Sequence, residues 1–378
     1  MDSDFLKKYT ETGVREGAKL TKNEAEYENL HKFRSAIIKR TPQELLQWIK
    51  EHDGIFGEDS KFIDTDDYKY FESLKSKNLQ MIFNIKSLSQ IYRINSFLNA
   101  ANEALPYGGY FGGHSRTSLL KHKIIMNRWP GLFGKVVFAA HYFWHRICPK
   151  LILTSWFYFA VTKGRNRSLS RVEILGRFCR AGFEIVDERF SNGEYYVLGR
   201  KVAEPRHYKA RLYGPIIKLN RIGYKGKTIG VYKFRTMYPY AEYLQPYMME
   251  HEGLRKGGKF RNDYRINFWG RMFRSNMLDE LPMILNMLKG QMKLVGVRPL
   301  SRAYFDLYTP EMKELRVTVK PGLLPPFYYD EKSPETLEEI QESEKRYIEA
   351  YKEHPFRTDW RYFWRIVRNV VFKKKRSH

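Results

Sequence analysis

Residues 131–167, "GLFGKVVFAAHYFWHRICPKLILTSWFYFAVTKGRNR", constrain this chain more than any other stretch. Two apolar arms, roughly 136–147 and 151–162, flank Cys148-Pro149. A membrane-spanning helix needs about 20 uninterrupted apolar residues, and an arm of about 12 covers only ~18 Å of a ~30 Å hydrocarbon core. One continuous helix through both arms would be long enough, but it would set Arg146 and Lys150 at the midplane at ~2.5–3.5 kcal/mol each. Two readings stay open. The arms form a buried helical hairpin of a soluble core, or they dip into one leaflet and return on the same side, kinked where Pro149 removes a backbone donor. Under the second reading Trp129, Trp144 and Trp156, with Lys163, Arg165 and Arg167, suit a headgroup interface.

The flanking sequence frames that segment. "TPQELLQWIKEHDG" predicts a helix with Thr41, Pro42 and Glu44 as a capping box. "LQMIFNI" (79–85) predicts a buried strand, and Ile91, Ile94, Leu98, Ala101 and Leu105 share one helical face. Ser170 and Glu173 form a second capping box, opening a helix that places Val172, Leu175, Phe178 and Cys179 in a core. A hairpin turning at Ser191-Asn192-Gly193 follows. This order weakly resembles the C-terminal half of a class I methyltransferase fold. The glycine-rich turn that would cradle S-adenosylmethionine is missing, so the region reads as a scaffold. Near the C-terminus, Trp360, Phe363, Trp364, Val367, Val370 and Val371 form one stripe, with Arg361, Arg365 and Arg368 off it. That is the pattern of a basic helix lying on a membrane surface; docking on the protein's own core is the alternative.

Bulk properties narrow the classes. The 378 residues carry 67 Lys+Arg against 42 Asp+Glu, a net +25, so an anionic partner is expected: nucleic acid, anionic lipid or phosphorylated metabolites. A hydrophobic share of 43% excludes a disordered chain. With only Cys148 and Cys179, a disulfide framework and a cysteine-based zinc site are excluded, and a reducing cytoplasm fits. "MDSDFLKKYTETG" lacks the apolar core of a secretory signal. No helix-turn-helix, zinc-finger or RNP signature supports nucleic acid.

The chemistry lies in 214–299. "GPIIKLNRIGYKGKTIGVYKFRTM" reads as two strands joined at Gly223–Gly226, with Lys233 and Arg235 on one face and Tyr232 and Phe234 on the other. In "RINFWGRMFRSNMLDELP", Arg265, Arg271 and Arg274 precede the adjacent acids Asp279 and Glu280, which fall at the N-terminus of a helix with Leu278, Leu281, Leu285 and Leu288 on one face. The bland account of the acids is a cap and a complement to the helix dipole, worth ~0.5–2 kcal/mol. Their setting among Lys233, Arg235, Arg274 and Arg298 suits phosphoryl transfer better. A carboxylate attacks phosphorus only where cations neutralise the phosphate it approaches.

"YKFRTM", "LDELP" with "LNMLKGQMKLVGVRP", and "KPGLLPPF" occur in the order and spacing of the bacterial sugar transferase family, and 207–330 strongly resembles its members, the monotopic polyprenyl-phosphate phosphoglycosyl transferases. The resemblance implies transfer of a sugar 1-phosphate from a UDP-sugar to polyprenyl (undecaprenyl) phosphate, initiating exopolysaccharide or glycan synthesis. It implies Asp279 as nucleophile of an aspartyl phosphosugar intermediate, with Glu280 as its partner holding Mg²⁺. Lys233, Arg235 and Arg274 would hold phosphates, and Arg298 and Pro299 would contact the uridine end. Family members commonly read Gly-Pro-Arg-Pro where this chain has Gly296-Val297-Arg298-Pro299, and Pro-Gly-Thr-Gly where it has Pro321-Gly322-Leu323-Leu324, departures that bear on donor choice.

The family's membrane element, a re-entrant helix broken at a proline, points to Pro149, with Trp144, Trp156, Trp360 and Trp364 at the membrane. The expected fold class is α/β. It comprises an N-terminal accessory region (1–128), a re-entrant hairpin (129–163), a helix and β-hairpin completing the accessory domain (164–206), and an α+β catalytic domain with short strands and amphipathic helices (207–378). The expected place is the cytoplasmic face of the inner membrane on anionic lipid, with a possible homo-oligomer and no nucleic acid partner. The alternatives are a catalytically inactive scaffold of the same family and, behind it, a nucleic-acid-binding protein.

Overall fold

The computed structural model describes residues 51, 59–191, 193–206, 213–251, 260, 262–330, 332, 334 and 336–371. The helix read at 41–54 lies outside them, apart from Glu51. The fold is α/β. Its first body is a five-stranded sheet of β1 (Ser60–Ile63), β2 (Met81–Asn84), β3 (Tyr110–Ser115), β4 (Phe183–Ser191) and β5 (Glu194–Lys201) in the order β1-β2-β3-β5-β4. The first three strands run parallel, and the β4–β5 hairpin closes the sheet antiparallel. Helix α1 (Ile94–Glu103) packs its apolar stripe against the sheet, with Phe97, Leu98 and Ala101 fully covered. The sequence carries no signal for β1, because "SKFI" is too short to show a period of two.

Between β3 and the rest of the sheet the chain makes an excursion through three helices, α2 (Ser118–Arg128), α3 (Gly131–Tyr142) and α4 (Ile152–Thr162). Helices α2 and α3 run antiparallel, with the His122 ring 4.6 Å from Phe138. The chain breaks again at Cys148–Lys150, where Pro149 sits. Among the described residues no helix is long and apolar enough to cross a membrane.

Polar contacts fix the bend at Pro149. Arg146 is buried and donates to Glu173 (2.5 Å) and to the Ser168 carbonyl (2.6 Å), while Lys150 lies 3.5 Å from Glu173. Two cations seeking the carboxylate of α5 (Arg171–Arg180) seat the bend on the sheet body. The turn at Trp129–Gly131 therefore stands at the outer end of α2 and α3. Trp144 is wedged against Phe157 and Tyr158, whereas Trp156 faces outward, 78% exposed. Arg167 is not a free headgroup cation either: it donates to the Ile91, Tyr92 and Gly164 carbonyls.

Ser170 caps α5 as expected, accepting from the Glu173 amide (3.2 Å). The Glu173 side chain, however, turns inward to Arg146, Lys150 and Arg177 rather than back to the cap. Burial opposes its charge, but Lys150, Arg146 and Arg177 together hold its carboxyl well below the usual range. The sheet core also reaches past 206: Ala241, Leu244 and Met248 belong to it, and a side chain at Gly176 would collide with the Tyr240 carbonyl at 2.3 Å.

The second body begins with the hairpin β6 (Ile216–Ile222) and β7 (Thr228–Phe234), paired antiparallel. Helix α6 (Phe268–Ser275), a 3₁₀ turn (Leu278–Met283) and α7 (Ile284–Leu288) follow, then the short parallel pair β8 (Lys293–Val295) and β9 (Gly322–Leu324). Helices α8 (Leu337–Glu353) and α9 (Pro355–Val371) close the chain over Val295, Val297 and Val319. Helix α9 docks through Thr358, Tyr362, Ile366 and Asn369, with Phe363 and Val370 of the apolar stripe packed at the edge of the same core. Its Phe356, Trp360 and Trp364 face outward.

Candidate active site

The site is assembled on the end of β7. Strand alternation sends Tyr232 to one side, where the Lys289 ammonium donates to its hydroxyl (2.9 Å), and Lys233 to the other, where it meets Glu280 Oε1 at 2.5 Å. Just past the strand, the Asn267 amide donates to the Thr236 carbonyl (3.0 Å), and Asn267 Oδ1 caps α6 at the Gly270 amide (2.6 Å). Gly270 lets that helix lie against the strand end, because a Cβ there would stand 2.0 Å from the Thr236 carbonyl oxygen. Helix α6 thereby delivers Arg274, whose Nε donates to Thr236 Oγ1 (2.9 Å).

Met277 turns the chain in a left-handed conformation (φ 57°) into the 3₁₀ turn carrying Asp279 and Glu280. No side chain caps that turn, so capping does not account for the acids. Asp279 is half-buried, and burial raises its carboxyl above the ordinary carboxylate range; Lys233 opposes the rise, Glu280 adds to it and Arg274 opposes it. A carboxylate less stabilised than in water, flanked by cations, is a competent nucleophile toward an anionic electrophile.

Asn286, fully buried, went unremarked in the sequence. It accepts from the Tyr232 amide (3.0 Å) and donates to the Gly230 carbonyl (2.8 Å), clamping α7 to β7 and fixing the acid pair's height over the strand. Its signal was a lone amide inside the apolar run "MILNML".

Lys233, Arg274, Asp279 and Glu280 thus come together. Arg235 follows directly, its Nε donating to the Gly214 carbonyl (2.9 Å) and its guanidinium over the Tyr213 ring (4.9 Å). Arg298 lies elsewhere: among the described residues no hydrogen bond or ion pair joins it to the acids. It is exposed beside buried Pro299, in a small cleft with Gly223, Phe305 and Val317, and its carbonyl accepts from Arg316 (2.6 Å). The close approach of Gly296 to Gly322 holds that strand end. Among the described residues no group of three or more His, Cys, Asp or Glu could hold a metal.

An apolar surface surrounds the acid pair. The helical face that carries Leu278, Leu281, Leu285 and Leu288 is exposed, Leu288 at 80%, and Phe268 (74%) and Trp269 on α6 are exposed with it.

The site is thus an acid pair set among cations on a short-stranded α/β body, bordered by exposed apolar side chains. Residues 208–373 match the model of the bacterial sugar transferase family. An uncharacterized sugar transferase of Bacillus subtilis, EpsL, is 41% identical over 103 residues, 27% of this chain and 45% of that protein. The galactosyl transferase CpsE of Streptococcus agalactiae is 37% identical over 113 residues (29% and 25%). The undecaprenyl-phosphate galactose phosphotransferase of Salmonella typhimurium is 34% identical over 108 residues (27% and 22%). The chain spans less than half the length of these relatives.

Proposed function

We propose that this protein is a phosphoglycosyl transferase that moves a sugar 1-phosphate from a UDP-sugar to polyprenyl phosphate, the first step of an exopolysaccharide or glycan. The observation that carries the reading is a half-buried Asp279 between Lys233 and Arg274, on the 3₁₀ turn that runs directly into α7, the two together exposing Leu281, Leu285 and Leu288. Chemistry on a phosphate and contact with a lipid are thereby asked of one continuous stretch.

In the first step an Asp279 carboxylate oxygen attacks the β-phosphorus of the donor. The bond from that phosphorus to the bridging oxygen breaks, and UMP leaves with the oxygen. In the second, a phosphate oxygen of the acceptor attacks the aspartyl phosphosugar, the acyl P–O bond breaks and Asp279 returns as a carboxylate. Lys233 and Arg274 neutralise the phosphate as negative charge builds, and Arg235 and Arg298 serve the donor's phosphate and uridine ends. Two adjacent carboxylates fit Mg²⁺, which is commonly held by one or two carboxylates plus substrate phosphates and water. Glu280 would hold it beside the nucleophile Asp279, and the ion would supply charge neutralisation at the diphosphate.

Membrane contact on one face, at the cytoplasmic side of the inner membrane, is part of the proposal. The outward residues of α3 and α4 (Leu132, Phe133, Leu153, Trp156), those around Asp279 and those of α9 supply the apolar area. The test incubates detergent-solubilised full-length protein with a panel of UDP-sugars and polyprenyl phosphate. UMP release and a sugar-phosphate adduct on Asp279, found by mass spectrometry before acceptor is added, are expected. Accumulation of UDP instead would make the reaction ordinary glycosyl transfer.

A further inference from the structure

A second cavity lies on the sheet body, lined by none of the residues that surround Asp279. Asp66, Gln90, Tyr92, Phe159, Lys163 and Arg165 line a space of about 330 Å³, within the size range of small-molecule sites. It sits just past the carboxyl ends of β1 and β2, adjacent parallel strands ending at Ile63 and Asn84.

Its walls are fixed by buried polar groups rather than by apolar packing alone. Asn84, with no exposed surface, accepts from the Thr65 amide (3.2 Å) and donates to the Thr65 carbonyl (3.1 Å), holding the loop that carries Asp66. Lys86 pairs with Asp66 at 3.1 Å. Arg167 clamps the opposite walls by donating to the Ile91 and Tyr92 carbonyls and to that of Gly164 (3.0 Å). Lys163 (φ 50°) ends α4 as its left-handed cap and, with Asn166 (φ 60°), turns the chain on either side of Arg165.

The lining is chemically mixed. Tyr92 and Phe159 meet edge to face at 5.7 Å, the Arg93 guanidinium lies 5.8 Å from the Tyr92 ring centre, and Tyr92 is 47% exposed, so the ring offers aromatic surface to a planar group. The Lys163 and Gln90 side chains have no hydrogen-bond partner among the described residues, and the carboxylate nearest Arg165 is Asp66 at 3.9 Å. Aromatic surface, the Lys163 ammonium, an Arg165 only loosely paired with Asp66 and a carboxylate able to accept from hydroxyls are together the requirements of a ring, a phosphate and a ribose.

We propose that this cavity is a binding site for a nucleoside monophosphate, separate from the transferase centre. The base stacks on Tyr92, the phosphate meets Lys163 and Arg165, and Asp66 accepts from the sugar hydroxyls.

The test titrates the full-length protein in detergent with each of the four ribonucleoside monophosphates, with inorganic phosphate, and separately with anionic phospholipid vesicles. At least one monophosphate should bind saturably, and Arg165→Glu, Lys163→Ala and Tyr92→Leu should each weaken it at least tenfold. Arg274→Ala should leave that binding unchanged. The three cavity positions are partly or largely solvent-facing, so their variants should keep the wild-type melting temperature. Nucleotide binding that ignores all three variants overturns the proposal, as does no binding at all. Equal affinity for inorganic phosphate would make this a general anion site, and binding to vesicles alone a lipid headgroup site; either overturns the nucleotide assignment. Because Arg274→Ala disables only the transferase centre, failure of the proposed reaction and failure of this site give different results.

Discussion

Lys233 performs two electrostatic tasks for Asp279, and removing it should move the acid limb of the reaction in a direction that can be stated beforehand. Its ammonium attracts the Asp279 carboxylate directly and also pairs with Glu280, whose charge pushes the Asp279 carboxyl upward. Lys233→Met deletes the attraction and unmasks the repulsion, two effects of the same sign. Opposite charges within ~4–6 Å shift a carboxyl by about 1–3 pH units, so the limb should rise by at least about 1 unit, or about 1.4 kcal/mol. Glu280→Gln should move it the other way, since it removes the repulsion and frees Lys233 for Asp279. The assay is single-turnover release of UMP from a UDP-sugar without acceptor, followed from pH 4 to 8. The rate falls as Asp279 takes a proton, so a higher carboxyl pKa places the fall at higher pH. Limbs that stay within about 0.3 unit of wild type in both variants, or that move in the same direction, would refute the electrostatic picture of the site.

Other outcomes follow from the same geometry. Asp279→Asn should abolish UMP release and adduct formation without altering the melting temperature, since the acid caps nothing; retained turnover would remove it as nucleophile. Arg274→Ala should cost roughly 3 kcal/mol or more of transition-state stabilisation, and Lys should recover only part, because it lacks the guanidinium fork; steady-state rates with saturating donor check this. Glu173→Gln should destabilise the fold by about 3–5 kcal/mol by stranding Arg146, Lys150 and Arg177. Because its folded pKa is depressed, the wild-type stabilisation is present above the ordinary glutamate pKa and lost as pH falls below it, so chemical melts at pH 7 and pH 3 should differ for wild type and converge for the variant. Replacing Trp360 and Trp364 by Ala should each weaken flotation with anionic vesicles by about 2 kcal/mol, roughly half an aromatic side chain's area at ~25 cal/mol per Å².

Where periodicity and burial agree, the sequence was readable. The strand at 79–85 and the helix stripe from Ile91 to Leu105 depend on local pattern, and both are buried as that pattern requires. Contacts to distant polar partners are not legible in the pattern. Helix α9 exposes Trp360 and Trp364 of its apolar stripe, while its opposite, buried face is set by Asn369, which donates to the Tyr328 carbonyl (2.9 Å), and by Asp359, which accepts from the Tyr347 hydroxyl (2.6 Å). Hydropathy counts such residues as surface. Glu173 looked like half of a capping box because nothing local announces Arg146, 27 residues earlier in the chain. At the site, the acid pair and Lys233 were legible from strand alternation and motif, while Thr236 and Asn286, which aim and anchor them, emerge only from packing.

The core shared between the sheet body and residues 241–248 bears on how this molecule can be dissected. A fragment starting at 207 would carry Leu244 and Met248, both fully covered in the intact chain, into water at about 1.5–3 kcal/mol each. Tyr240 would lose Arg177 above its ring (4.2 Å) and the Asn95 amide on its hydroxyl (2.7 Å). Thr236, which positions Arg274, lies four residues upstream of that tyrosine. The transferase block is therefore not a detachable module. Its catalytic geometry is held partly by the sheet, and the two bodies are expected to melt in a single cooperative transition.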